Sequence, residues 1–380
     1  MKTMIVVTHL LGTGHLSRAL TLARAFVAKG HDVQIASGGM PAPQLDHSDI
    51  QMLQLPPLRS DGINFTRLLD NAGAPADEAY LSSRSHTQNS AVAAFQPDIL
   101  FTELFPFGRR VLSTEFLSLL DTAKAMPTPP VILSSIRDIL APPSKPSKAS
   151  RADDIIARYY TAVLVHSDPQ TTQLSQSWPV SNRLAPFLRY TGYVAPPSAG
   201  AHPGNTGAGE ILVSAGGGSV GDALFETAVS AARLSPTQQW RLLVGGSFAT
   251  DRVAKLVHLA KGTRTIIEPA RPDFRQMLHG AAASVSMCGY NTALDLLQAG
   301  TPAVMIPFDA GNEVEQTLRA TSLASMPGLS VLRSADLTPQ TLTLNLQQVL
   351  NEGRRTDTGL KFDGAAQTVQ LACDMAEARI

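Results

Sequence analysis

The sequence predicts an α/β protein made of two Rossmann-like halves, each built on a parallel sheet. Three observations point there. A strand, a glycine-containing turn and a helix open the chain at residue 4, and the same order recurs at residue 211. Short apolar runs alternate with stretches of helical periodicity, which is the pattern of βαβ units and a doubly wound sheet. A run rich in proline, glycine and small residues, A-P-P-S-A-G-A-H-P-G-N-T-G-A-G, lies between the two openings at 195–209 and has the composition of a linker.

In the first half, residues 4–8 read as a buried strand that breaks at Gly12-Thr13-Gly14-His15. A helix is predicted over 16–29, because Leu16, Leu20, Ala23 and Val27 fall at helical spacing, and Gly30 is a suitable C-cap residue. Strands follow at 33–37, 51–55, 99–102, 131–135 and 162–166, with helices over 82–95 and 108–124. Residues 141–150, A-P-P-S-K-P-S-K-A-S, read as an exposed loop. Asp153-Asp154 is placed at the opening of the next helix, where carboxylates favour the helix dipole.

The second half repeats the plan: strand 211–215, turn 216–221, helix 222–233, strand 240–244, strand 265–268, then a helix through Met277. Strand 283–287 runs into the small turn Cys288-Gly289, a helix starts near Asn291-Thr292 and stops at Gly300, and strand 303–306 ends at Pro307. A loop with Asp309 and Gly311 leads to a helix opening at Asn312. Both strand-to-helix corners fall at the carboxyl edge of a parallel sheet, where open α/β sheets bind ligands. The tail, 365–380, carries Val369, Ala372, Met375 and Ala376 at helical spacing. The predicted organisation is a first domain at 1–195, a linker at 196–209, a second domain at 210–362 and a terminal helix at 363–380.

Composition narrows the function classes. The chain has 380 residues, 44% apolar and 16% charged, which suits two packed domains and not a disordered chain. A formal net charge of +0 disfavours nucleic acid as a partner. The 2 cysteines, Cys288 and Cys373, lack metal-ligand spacing and suit a reducing cytoplasm. No apolar run reaches the ~20 residues of a membrane span.

Several positions carry chemistry. Gly216 to Gly221 has the G-x-G-x-x-G spacing in the strand-turn-helix context of a dinucleotide fingerprint. The acidic residue that fingerprint needs at the end of the next strand is missing, since Gly245-Gly246 stands there. The first half ends its second strand in Ser37-Gly38-Gly39, again without an acid. NAD and FAD are therefore not expected, and a phosphate cradle of bare backbone at a helix start remains. Asp295 can accept from two vicinal hydroxyls, and Glu315 and Gln316 from a second ring. Equally, Thr292-x-x-Asp295 and Asn312-x-x-Glu315 fit capping boxes. His15, at a helix opening, suits a base near neutral pH, or simply caps the helix. Glu103, at a strand end before Phe105-Pro106-Phe107-Gly108-Arg109-Arg110, suits a base or a helix-terminal charge. Arg109 and Arg110 suit an acceptor phosphate. Arg137-Asp138 reads first as an ion pair and second as an acceptor contact. No Asp-x-Asp stands at a strand end, so no metal is expected.

Cys288-Gly289-Tyr290-Asn291-Thr292, Asp295, Gly300-Thr301-Pro302, Pro307, Glu315-Gln316 and Arg319-Ala320 together resemble the donor half of nucleotide-sugar glycosyltransferases of the GT-B type. The pattern is similar to that of the peptidoglycan N-acetylglucosaminyltransferase group (MurG-like, glycosyltransferase family 28). The resemblance implies two facing domains, the first for the acceptor and the second for the donor, with the last helix crossing back onto the first. It implies that Gly217, Gly218, Ser219, Gly289, Asn291 and Thr292 meet the donor diphosphate, and that Asp295, Glu315 and Gln316 meet ribose and sugar. Gly14, His15, Arg109 and Arg137 fall on the acceptor side, with His15 or Glu103 as the catalytic base. The expected activity is metal-independent, inverting transfer from a nucleotide-diphosphate sugar, uridine-linked, with no other cofactor. The acceptor, a lipid-linked or small-molecule hydroxyl, is not readable, and 105–110 is a candidate membrane-facing patch on a cytoplasmic protein peripheral to the inner membrane. A nucleotide-sugar epimerase or hydrolase, and a non-catalytic nucleotide-sugar-binding protein, remain as alternatives. Cys288 in place of a glycine could narrow the turn, and Asp295 in place of a glutamate could shift the ribose.

Overall fold

The computed structural model describes residues 1–60, 67–216, 220–246, 249–310, 313–356 and 359–379. It divides into two compact units, Met1–Ala195 with Lys361–Ile380, and Pro196–Leu360. The first unit contains β1 (Lys2–Val7), α1 (Gly14–Val27), β2 (Asp32–Gly39), β3 (Gln51–Ser60), β4 (Leu68–Leu69), α2 (Glu78–Phe95), β5 (Ile99–Glu103), α3 (Ser113–Lys124), β6 (Val131–Arg137), α4 (Pro146–Tyr159), β7 (Ala162–His166) and β8 (Leu188–Tyr190). The second contains β9 (Ile211–Ser214), α5 (Asp222–Leu234), β10 (Trp240–Val244), α6 (Ala249–Leu259), β11 (Thr265–Pro269), α7 (Phe274–Gly280), β12 (Ala283–Ser286), α8 (Tyr290–Ala299), β13 (Ala303–Met305), α9 (Glu315–Leu323), β14 (Leu329–Val331) and α10 (Pro339–Glu352). The last helix, α11 (Gly364–Glu377), belongs to the first unit.

The first sheet runs β4-β3-β2-β1-β5-β6-β7-β8 and the second β11-β10-β9-β12-β13-β14. All pairs are parallel except β3 with β4. In both sheets the chain begins in the middle and returns to the other side of its opening strand, after four strands in the first sheet and three in the second, so each has a topological switch point beside that strand.

Period-two alternation builds two core layers from each strand of the first sheet. Met4, Val6, Leu100, Ile132 and Val163 bury one face with Val92 of α2 and Phe116 of α3. Ile5, Val7, Phe101, Leu133 and Leu164 bury the other with Leu16, Leu20 and Ala23 of α1 and Val369, Ala372 and Ala376 of α11. The second unit has its own cluster, including Val213, Phe225, Trp240, Leu242, Val285 and Leu346.

Three readings of the sequence need correction. Residues 146–150 of the supposed loop are the first turn of α4, with Pro146 at its start; proline is accepted there because that N–H has no helical partner. Asp153 and Asp154 consequently sit inside the helix, where they accept from Ser181 Oγ at 2.7 Å and pair with Arg183 Nη1 at 2.6 Å. Residues 196–209 are not a free linker but are fastened to the second unit. His202 Nδ1 accepts from the Gly204 and Thr206 N–H groups at 3.0 and 3.2 Å, its Nε2 donates to Asp273 Oδ2 at 3.0 Å, and Gly209 N–H donates to Gly280 O at 2.9 Å. Finally, 105–110 is no membrane-facing patch. Phe105 and Phe107 are buried, stacked on Phe116 at 4.6 Å and edge-on to Trp178 at 5.1 Å respectively. Among the described residues no helix is long and apolar enough to cross a membrane.

Candidate active-site residues

The face of the first sheet under α1 changes character at its carboxyl edge. Two residues beyond Phe101, Leu133 and Leu164 stand Glu103, Ser135 and His166. The same period that stacks the core therefore aligns three polar side chains on one face. Register pairs Glu103 with Ser135.

From α1, two side chains reach this row. His15 Nδ1 lies 2.9 Å from Glu103 Oε1, and Arg18 pairs with the same oxygen. Ser135 Oγ donates to Glu103 Oε2 at 2.7 Å. The Glu103 side chain is 2% exposed and that of His15 14%. Burial alone would raise the Glu103 pKa. The charge of Arg18 and the hydrogen bonds from His15 and Ser135 outweigh it and hold the carboxyl below its usual range. An ionised carboxylate only accepts, so His15 Nδ1 carries the proton and Nε2 is left with its lone pair. Burial lowers the His15 pKa to about 3, against the opposing hydrogen bond and charge of Glu103. At neutral pH the imidazole is therefore uncharged.

Glu103 thus faces inward onto His15 and Arg18, and His15 is neither a cap nor a surface group. Gly14 is the first residue of α1. Arg109, in left-handed conformation at φ 56, donates from Nε to Thr8 O at 2.5 Å, so it ties the end of β5 to that of β1. Its charge and that of Arg137, the last residue of β6, both act on His15. Asp138 Oδ1 accepts from the Ile139 N–H at 2.8 Å, so the carboxylate stiffens the loop after β6. Arg110 Nη1 donates to Phe107 O at 2.7 Å.

At the carboxyl edge of the second sheet, Gly217, Gly218 and Ser219 lie outside the described residues. Their neighbours Gly216 and Gly221 have φ of +77 and +98, a conformation that suits glycine, and Gly221 immediately precedes α5. Gly289 precedes α8, which has no side-chain cap. An added Cβ at Gly289 would meet nothing within 4 Å. The space before the helix is therefore open, with exposed Asn291 and half-buried Thr292 in its first turn. Cys288 does not narrow this turn: its side chain is buried, with Sγ 3.6 Å from Met305 Sδ.

Asp295 is not the partner of a capping box. Its Oδ1 accepts from Arg275 Nε at 2.8 Å, while Arg275 Nη2 donates to Pro197 O at 2.9 Å and Gln298 Oε1 at 3.0 Å. Burial outweighs the guanidinium and pushes the Asp295 pKa up to about 6. Gln316 Oε1 accepts from the Phe308 N–H at 3.1 Å, fixing the loop after β13, and the Glu315 N–H donates to Glu313 Oε1 at 2.7 Å. Buried Arg319 donates to Cys288 O at 3.1 Å and lies over the Tyr290 ring, joining α9 to the turn before α8. Among the described residues no three His, Cys, Asp or Glu side chains are grouped to hold a metal ion.

Sequence reasoning missed Arg18, Ser135, His166 and Arg275. The first three share a detectable signal, a polar residue on the apolar face of a strand end or amphipathic helix. Arg275 has none.

Residues 211–369 match the glycosyltransferase family 28 C-terminal domain. The match takes in nearly all of the second unit and runs on into the last helix. Over 169 residues the chain is 29% identical to the UDP-N-acetylglucosamine--N-acetylmuramyl-(pentapeptide) pyrophosphoryl-undecaprenol N-acetylglucosamine transferase of Brucella anthropi. That alignment spans 43% of this chain and 45% of the relative, less than half the length of either. Among solved structures, Acinetobacter baumannii MurG has a TM-score of 0.65 at 16% identity, covering 99% of this chain and 100% of that one. Spinosyn rhamnosyltransferase SpnG complexed with thymidine diphosphate has a TM-score of 0.57 at 19% identity, covering 99% and 96%. The fold is that of the GT-B glycosyltransferases.

Proposed function

We propose that this protein is an inverting glycosyltransferase that moves a sugar from a nucleotide-diphosphate sugar, uridine-linked, to a hydroxyl acceptor without a metal ion. The observation that carries the reading is the His15–Glu103 pair in a chain whose residues 211–369 match the family 28 C-terminal domain. In this reading His15 Nε2 takes the proton from the acceptor hydroxyl as its oxygen attacks the anomeric carbon. Glu103 holds the imidazole and stabilises the imidazolium as it forms. The departing nucleoside diphosphate is held by backbone N–H groups at the starts of α5 and α8, where helix dipoles favour negative charge. Gly217, Gly218, Ser219, Gly289, Asn291 and Thr292 form that cradle, while Asp295, Glu315 and Gln316 meet ribose and sugar. Arg109 and Arg137 favour an acceptor with negative charge. The name of the Brucella relative makes a lipid-linked acceptor the first class to try.

The test incubates the protein with a panel of nucleotide sugars, alone and with lipid or aqueous cell extract. Nucleoside diphosphate is measured along with the mass of the product. Release that requires an extract, with a hexose added to one of its components, is the expected result. His15→Ala should lower turnover roughly 10²–10⁴-fold with nucleotide affinity unchanged. Epimer or free sugar without extract would instead mean an epimerase or hydrolase, and tight binding with no turnover a binding protein.

A further inference from the structure

The hydrogen bonds at Glu103 continue inward through groups that no reactant could touch. His166, fully buried at the end of β7, has Nε2 2.9 Å from Ser135 Oγ and Nδ1 2.9 Å from Thr191 Oγ1. Proton counting sets the direction of the bonds at Ser135. Glu103 is ionised and accepts, so the single Ser135 proton points to Glu103 Oε2. Ser135 Oγ can then only accept from the ring, so His166 Nε2 carries hydrogen. Burial lowers the His166 pKa to about 3, so the ring is neutral and Nδ1 is an acceptor. Thr191 Oγ1 lies 2.9 Å from both His166 Nδ1 and Gly192 O, so its single proton serves both acceptors.

We propose that Ser135 and His166 are positioning residues, which act through Glu103 to hold His15 in the tautomer with a free Nε2. The proposal rests on the assignment of His15 as base. Its physical content is the polarity of the row from His166 through Ser135 and Glu103 to His15. If His166 carried its proton on Nδ1, Ser135 would turn its own toward Nε2. Glu103 Oε2 would then face an oxygen with no hydrogen between them, and the carboxylate would lose one of the donors that keep it ionised and oriented toward His15.

Four variants test this: Ser135→Ala and His166→Leu, which break the row, and Ser135→Thr and His166→Gln, which can keep it. A Gln amide donates to Ser135 and accepts from Thr191 in the places of Nε2 and Nδ1. The two readouts are turnover at saturating donor and the imidazole ¹⁵N spectrum, with His15 signals identified by their loss in His15→Gln. In the parent protein His15 should show a protonated Nδ1 and a bare Nε2. Ser135→Ala and His166→Leu should lower kcat about tenfold or more, within the range a positioned base supplies, with donor KM unchanged and the His15 signals moved toward a mixture of tautomers. Ser135→Thr and His166→Gln should restore both. An unchanged His15 spectrum in the two breaking variants overturns the proposal, whatever kcat does. So does loss of kcat that neither conservative variant restores. If no nucleotide sugar is turned over by any form, the glycosyltransferase reading fails, while the spectrum still decides whether the row sets the tautomer.

Discussion

Asp295 stands in the second turn of α8 with a guanidinium on one oxygen, and two functions compete for it. As ribose acceptor it meets the donor; as partner of Arg275 it holds the chain near Pro196 and Pro197. Asp295→Asn keeps the shape and removes the charge, and a charge-assisted hydrogen bond is worth about 1.5–3 kcal/mol. Arg275→Met removes the ion pair but leaves the carboxylate. We expect Asp295→Asn to weaken uridine diphosphate binding roughly tenfold and Arg275→Met to lower mainly the melting temperature; calorimetric titration and thermal melts check both. Identical profiles for the two variants would make Asp295 a structural partner only. The sequence offered His15 and Glu103 as candidates because they stand at a helix start and a strand end, and Asp295 because it follows the small turn before α8. Their partners were not legible, because Arg18, Ser135, His166 and Arg275 meet them through strand order and helix packing, and no spacing in the chain encodes those.

At the scale of elements, the most legible features were strands and glycine-terminated helices. Gly300 closes α8 at φ +65, and a Cβ there would meet Arg355 O at 2.1 Å. The position therefore forbids a side chain twice, by conformation and by contact. Gly300→Ala should destabilise the chain by about 2 kcal/mol or more, read as a fall in the urea midpoint. Gly289→Ala, with free space and φ −62, should leave the midpoint nearly unchanged; if it weakens nucleotide binding, the open space before α8 is used by ligand. The misread elements fail for a common reason. Proline and small residues at 141–150 and 196–209 look like breaks in both places. In the first, Pro146 starts a helix whose face carries Ile155 and Ile156 into the core. In the second, the bonds of His202 and Gly209 fasten the segment to α7 and its flanks. Phe105 and Phe107 looked like a surface patch because the sequence does not say which side of a strand-end loop is roofed by α3.

For the whole molecule, the two units respond differently to acid. In the first, His9, His15, His31 and His166 all have pKa values lowered from 6.5, chiefly by burial. Below that value the unfolded chain binds protons that the folded unit refuses, so these groups lend stability above pH 6.5 that is lost as pH falls. For His15 and His166, each lowered to about 3, the loss is roughly 1 kcal/mol per pH unit per group. The second unit has His279 lowered but Asp295 raised from 3.8 to about 6. Between those values the folded state binds a proton at Asp295 that the unfolded chain releases, so stability rises as pH falls and opposes His279. Lowered carboxylates such as Glu103 and Asp273 act only below their ordinary values and leave this window untouched. The chain's 2 tryptophans, Trp178 and Trp240, are buried one in each unit, so Trp240→Phe reports on the first and Trp178→Phe on the second. From pH 6.5 to 4.5 the urea midpoint seen by Trp178 should fall steeply while that seen by Trp240 stays nearly level. Adding Asp295→Asn to Trp178→Phe should make the second unit acid-sensitive as well, because the lowered pKa of His279 then acts without Asp295 to oppose it. Equal falls for both tryptophans in the parent background would show that burial of the four histidines does not govern acid stability.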